Sequence, residues 1–199
     1  MTTAPPAEAR PLVLRLGPAL ERLSDREFFQ FCQLNQDWRI ERPSAGILEI
    51  MPPTGGQSGR RNFILTGLFN AWVEQNDTGV GFDSSTGFSL PNGARRSPDL
   101  SWVERARWEN LTQAEQEEFP PLCPDFVLEL RFRSDALSAL REKMQEYLAN
   151  GARLGWLIDP LEKQVYIYRP PDRVEHLENP TSISGDPVLP GFVLDLRKI

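Results

Sequence analysis

Three residues stand where their types and spacing could do chemistry: Asp99, Glu129 and Arg131. Glu129 lies near the end of Pro124-Asp125-Phe126-Val127-Leu128-Glu129-Leu130, a proline-bounded apolar run that reads as a short buried strand. A carboxylate there needs compensation, because an unpaired buried charge costs roughly several kcal/mol. A cation or a metal ion would supply it. Arg131, two residues on, shares the strand face of Glu129. A second carboxylate, Asp99, follows Pro98 and opens another apolar run, Leu100-Ser101-Trp102-Val103. Magnesium prefers hard oxygen ligands, takes one or two protein carboxylates, and leaves its other positions to water and phosphate. Such an ion activates an attacking water and stabilises the leaving oxygen, and a cation beside it stabilises the negative phosphorus centre. Asp99 and Glu129, with the Leu130 carbonyl as a possible third ligand, suit metal-dependent phosphodiester hydrolysis. A plain ion pair of Glu129 with Arg131 or Arg133 would use the same strand.

Two other chemistries fit poorly. Ser58, Asp159 and His176 follow the chain order of an α/β-hydrolase triad, but the loop reads Gly-Gly-Gln-Ser-Gly rather than Gly-x-Ser-x-Gly. His176, the only histidine, falls in a polar hairpin where exposure is the default. One histidine and two isolated cysteines, Cys32 and Cys123, do not make a usual zinc site. Reduced core thiols are the expectation, and with them a cytoplasmic protein. No stretch approaches the roughly 18 apolar residues of a membrane span, and the opening lacks a basic-then-apolar signal pattern. A formal charge of −6 argues against broad affinity for nucleic acid, although local arginines can still hold phosphate.

The elements that must position these residues can be read in order. Residues 1–20 are proline-rich without an apolar period and are expected to be a flexible tail; residues 21–199 are expected to form a single domain. Ser24 and Glu27 form a capping-box pattern opening a helix from Leu23 to Leu34. Trp38 to Arg42 and Ile47 to Met51 read as a hairpin, with the facing of Glu41 and Glu49 left open. A glycine-rich loop, 52–59, precedes a helix from about Arg60 to Gln75; its glycines make a tight turn or an anion cradle. Strands are expected at Val80 to Asp83, Gly87 to Leu90 and Leu100 to Val103, and Thr112 with Glu115 caps a short acidic helix. After the Glu129 strand, Ser134 is expected to cap a helix closed by Gly151, with Leu137, Leu140, Met144, Tyr147 and Leu148 on one face. Leu154 to Ile158, Val165 to Tyr168, Val174 to Leu177 and Val193 to Leu196 read as further strands. The order implies an α/β fold, an α+β mixed sheet with helices packed on it and a helix and strand meander at its N-terminal end.

The runs Arg95-Arg96-Ser97-Pro98-Asp99-Leu100-Ser101-Trp102-Val103 and Pro124-Asp125-Phe126-Val127-Leu128-Glu129-Leu130-Arg131 resemble the PD-(D/E)XK nuclease superfamily. The chain more closely resembles a bacterial family of restriction endonuclease-like proteins, from the Ser24 helix through both acidic strands to Leu189-Pro190-Gly191-Phe192-Val193-Leu194-Asp195-Leu196. That resemblance implies a restriction endonuclease-like core and Mg²⁺-dependent (or Mn²⁺-dependent) cleavage of DNA by a homodimer. It implies Asp99 as the first acid and Glu129 as the second, both metal ligands. The superfamily's lysine position holds Arg131 here, and Lys143 on the next helix is the substitute. Lys143 falls roughly 40° outside the apolar arc, where its stem can follow the core and its ammonium can reach back to the sheet. The resemblance favours Lys143 in the site, with Arg131 stabilising phosphate. A catalytically silent nuclease-fold protein that binds nucleic acid or a protein partner is the alternative.

Overall fold

The computed structural model describes residues 12–15, 23–44, 46–51 and 53–199. Among them, in chain order, are β1 (Leu12–Arg15), α1 (Asp25–Leu34), β2 (Arg39–Glu41), β3 (Ile47–Met51) and α2 (Gly56–Asn76). Next come β4 (Gly79–Asp83), β5 (Phe88–Ser89), β6 (Arg95–Arg96), β7 (Leu100–Glu104), α3 (Arg105–Glu109) and α4 (Gln113–Glu117). The chain continues with β8 (Phe126–Leu130), α5 (Leu137–Ala149), β9 (Leu154–Asp159), β10 (Gln164–Arg169) and β11 (Arg173–Glu178). It ends with β12 (Ser182–Ser184), β13 (Val193–Asp195) and a 3-10 turn.

This is a mixed α+β architecture built on a six-stranded sheet of order β11-β10-β9-β8-β7-β4. Only β8 and β9 run parallel, joined through α5; the other neighbours are antiparallel. Side-chain alternation gives the sheet two buried faces. Trp102, Phe126, Leu128 and Trp156 pack against Leu65, Phe69 and Trp72 of α2. Val103, Val127 and Leu157 point the other way, towards Met144 and Tyr147 of α5. Glu129 has the parity of Val127 and Asp99 that of Ser101 and Val103. Both acids therefore face α5.

A second sheet, β1-β3-β2, carries α1 over Phe28, Ile40 and Leu48. It is tied to the larger sheet by a pair of backbone hydrogen bonds between Arg42 and Arg95, at 3.0 and 2.7 Å. This tie delivers β2 to the acidic strands.

Three expectations need correction. Leu12–Arg15, inside the stretch read as a flexible tail, pairs antiparallel with Ile47–Ile50; its backbone groups satisfy those along the β3 edge, and branched apolar residues favour the extended chain this needs. The other residues of 1–20 lie outside the described residues. Helix α2 begins at Gly56, within the stretch read as a loop, with Gly55 as an N-cap in extended conformation. Glycine is accepted at that position. The helix after Glu129 is capped by Ala136, and Ser134 is not its cap. The Ser134 hydroxyl instead donates to Asp135 at 3.2 Å, while Asp135 accepts from the Phe132 amide at 2.8 Å. That side-chain turn keeps 132–135 out of the helix.

Candidate active site

The site assembles from β2, β6, β7, β8 and α5. Asp99 is buried just ahead of β7, with Oδ1 accepting from Arg39 Nη1 at 3.0 Å and Oδ2 from the Leu130 amide at 2.9 Å. The second bond latches Asp99 to the end of the strand that carries Glu129. Glu129, also buried, accepts from the Tyr147 hydroxyl at 3.2 Å and pairs through Oε1 with the Lys143 ammonium at 2.8 Å. Lys143 also reaches Glu41 Oε1, at 3.0 Å. The ammonium thus sits between two carboxylates from elements almost ninety residues apart. It lies on the border of the α5 face whose centre, Met144 and Tyr147, is buried, and its stem can run along that face.

Glu41 is the most heavily partnered acid. Only 1 % exposed, it accepts from Lys143, from Arg39 at 3.3 Å, from Arg96 at 3.1 Å and from the Ser97 amide at 3.2 Å. Arg96 continues outward to Glu49 at 2.9 Å and Glu146 at 2.6 Å. Glu41 and Glu49 face each other in register across β2 and β3, which settles the open parity: both point to the site.

The ionisation of these groups follows from their surroundings. Burial pushes the Glu129 carboxyl up to about 7; Lys143 opposes this, while Asp99 and Glu41 add to it. Burial would also raise Glu41, but Lys143, Arg39 and Arg96 outweigh it and hold it down at about 2. Burial disfavours the Lys143 charge, yet Glu129 and Glu41 prevail and its pKa rises above the usual lysine value. Lys143 is therefore an ammonium donor here and not a proton acceptor. Arg39 is raised in the same way: burial opposes its charge and Asp99 and Glu41 overcome it.

Of the four residues singled out in the sequence, the structure brings together Asp99, Glu129 and Lys143. Arg131 is placed differently. It lies one residue past β8, and its Nη1 pairs with Asp159 at 2.6 Å. Among the described residues no hydrogen bond or ion pair joins Arg131 to Asp99 or Glu129. The buried Asp159 carboxylate, at the end of the adjacent strand, is the nearer source of compensation. The cation on Asp99 is instead Arg39, which sequence reading missed along with the role of Tyr147. The signal for Arg39 was its spacing: Arg39 and Glu41 alternate on one face of a strand. Tyr147 reads as core by periodicity, and only its hydroxyl contact reveals more. Asp159 and His176 are engaged elsewhere, His176 stacking on Tyr166 at 4.6 Å, so a hydrolase triad with Ser58 is not formed.

The donor set bears on a metal. Among the described residues no group of three or more histidine, cysteine, aspartate or glutamate side chains is arranged to hold one. Two carboxylates nevertheless suit magnesium, which takes one or two and completes its shell with water and substrate. Asp99 accepts one hydrogen bond at each oxygen, leaving a lone pair on both. Among the described residues no donor reaches Glu129 Oε2. The hard-oxygen donors present fit such an ion.

A mixed sheet with two acids and a lysine converging on one face is the arrangement of the restriction endonuclease-like class. The model of the Uma2 family, described as "Putative restriction endonuclease", matches residues 25–197, and the chain belongs to that family. The crystal structure of a protein described as "a putative nuclease belonging to DUF820", from Anabaena variabilis ATCC 29413, superposes with a TM-score of 0.67. The two are 19% identical over 80% of this chain and 88% of that one, a likeness in fold. A comparison with curated proteins found no match. Among the described residues no helix is long and apolar enough to cross a membrane.

Proposed function

We propose that this chain is an endonuclease that hydrolyses DNA phosphodiester bonds, with Mg²⁺ as cofactor (Mn²⁺ substituting) held by Asp99 and Glu129. One observation carries the reading: the Lys143 ammonium lies 2.8 Å from Glu129, on the sheet face shared with Asp99. An ion held by Asp99 and Glu129 would supply an activated water and stabilise the leaving oxygen. The Lys143 ammonium is placed to donate to water and to offset the charge that gathers on the phosphate. Glu41 holds Lys143 and Arg39 in place, Tyr147 fixes the Glu129 carboxylate, and Arg39 does the same for Asp99. Arg131 braces the strand end through Asp159.

The test is cleavage of duplex, single-stranded and branched DNA with Mg²⁺, Mn²⁺ or a chelator. Metal-dependent cleavage is expected, abolished in Asp99→Ala and Glu129→Ala and reduced at least ~10²-fold in Lys143→Ala. Cleavage that persists in either acid variant sinks the assignment.

A second reading has its own observation. Both acids are already ion-paired, Asp99 with Arg39 and Glu129 with Lys143, which is what a catalytically silent binding module would retain. Calorimetric titration with Mn²⁺ separates the two: an enzyme takes up the ion and loses it in Asp99→Ala, whereas a silent module does not take it up.

A further inference from the structure

Beside the acid cluster lies a cavity of about 770 Å³, and Arg39, which bonds Asp99, lines both. Its other cationic walls are Arg61, Arg131 and Arg133, and its floor is the first turn of α2, from Gly55 to Ser58. In a chain of net charge −6, four arginines around one cavity are a local reversal of sign.

Several of its donors are unspent. Arg133 is exposed and, among the described residues, has no hydrogen-bond or ion-pair partner. Arg61 uses Nε on the Ile199 main-chain oxygen, at 3.0 Å, leaving its terminal nitrogens. The α2 N-terminus has no side-chain cap and no acidic residue in its first turn, so its leading amides are free and its dipole favours an anion. Two acids also line the cavity, Asp37 and Asp135. Asp135 is occupied by the Phe132 amide.

The glycines point the same way. A Cβ added at Gly55 or Gly56 would meet nothing within 4 Å, and Gly55 has an ordinary φ of −70°. Neither backbone strain nor crowding by the protein calls for glycine at these positions. The open space before the helix is room for a ligand to approach the amides.

We propose that this cavity is a phosphate subsite, in which a backbone phosphodiester next to the scissile one sits between Arg61, Arg133 and the free amides of α2. The assignment rests on the nuclease reading and adds to it: the cavity sets the path of the strand into the acid cluster, and Arg133 and Gly56 are positioning residues. The ligand is a DNA backbone anion, read by charge and amide donors and not by base.

The experiment measures binding of labelled DNA, in the form the wild-type protein cleaves, by fluorescence anisotropy in chelator across a salt series. Arg133→Ala is expected to weaken binding several-fold and to reduce the slope of log affinity against log salt by about 0.9 for duplex DNA, one phosphate's share. In the Mg²⁺ reaction the same variant should raise KM and leave kcat unchanged. Gly56→Ala is expected to weaken binding without lowering the thermal midpoint, since alanine favours a helix over glycine. Arg173→Ala, the same charge change on exposed β11 at the far edge of the sheet, should bind as wild type does. If wild type cleaves DNA but either Arg133→Ala or Gly56→Ala binds as tightly as Arg173→Ala, the subsite is overturned and the nuclease reading stands. If wild type neither binds nor cleaves any DNA form, the nuclease reading falls and the subsite with it.

Discussion

Glu41 and Glu129 share one ammonium, yet their surroundings drive them in opposite directions. Glu41 has three cations and an amide; Glu129 has Lys143, a phenol and two neighbouring acids. The consequence is a pH signature. From its ordinary 4.5 up to about 7, folded Glu129 keeps a proton that the unfolded chain has released, so its contribution to stability falls as pH rises through that window. Folded Glu41 has lost its proton by about 2, so its contribution rises with pH from about 2 to 4.5. Thermal midpoints measured from pH 4.5 to 7 should decline in wild type and stay flatter in Glu129→Gln. An equal decline in both would assign it to another group. Metal uptake should run the other way, strengthening up to about pH 7, because the ligand must be ionised.

At the scale of the element, α5 is the arm that sets the ammonium. Met144 and Tyr147 are fully buried, and the Met144 methyl lies over Gly155 of β9, in the space an added Cβ would take. Met144→Ala should destabilise the fold by about 2–5 kcal/mol in urea unfolding. At temperatures where it stays folded it should also cleave DNA more slowly, because Lys143 loses the neighbour that seats its helix. Wild-type cleavage in the folded variant would mean that Lys143 is positioned by its ion pairs alone.

For the whole molecule, the proposed reaction bears on assembly. Cutting both strands of a duplex calls for two sites, and like subunits most often meet about a two-fold axis. A homodimer is therefore expected, seen in sedimentation at micromolar concentration as twice the mass of one chain. A monomer that cleaves would direct attention to nicking or to single-stranded substrates. The net charge of −6 argues against broad affinity for nucleic acid.

The sequence by itself determined the two acidic strands, the capping boxes of α1 and α4, the β2-β3 hairpin and the apolar face of α5, because periodicity and capping are local and report on residues a few positions apart. It also placed Lys143 at the edge of that face, from which an ammonium can reach the sheet. Only the tertiary structure decided which carboxylates the ammonium meets. Glu41 joins the cluster because the Arg42–Arg95 tie docks one sheet on the other, and no local pattern records that docking. Arg131 turns to Asp159 because the adjacent parallel strand ends there with a buried carboxylate, a neighbour the sequence holds 28 residues away. A strand's alternation says which side chains share a face; which charges end up paired depends on what the rest of the fold brings within reach.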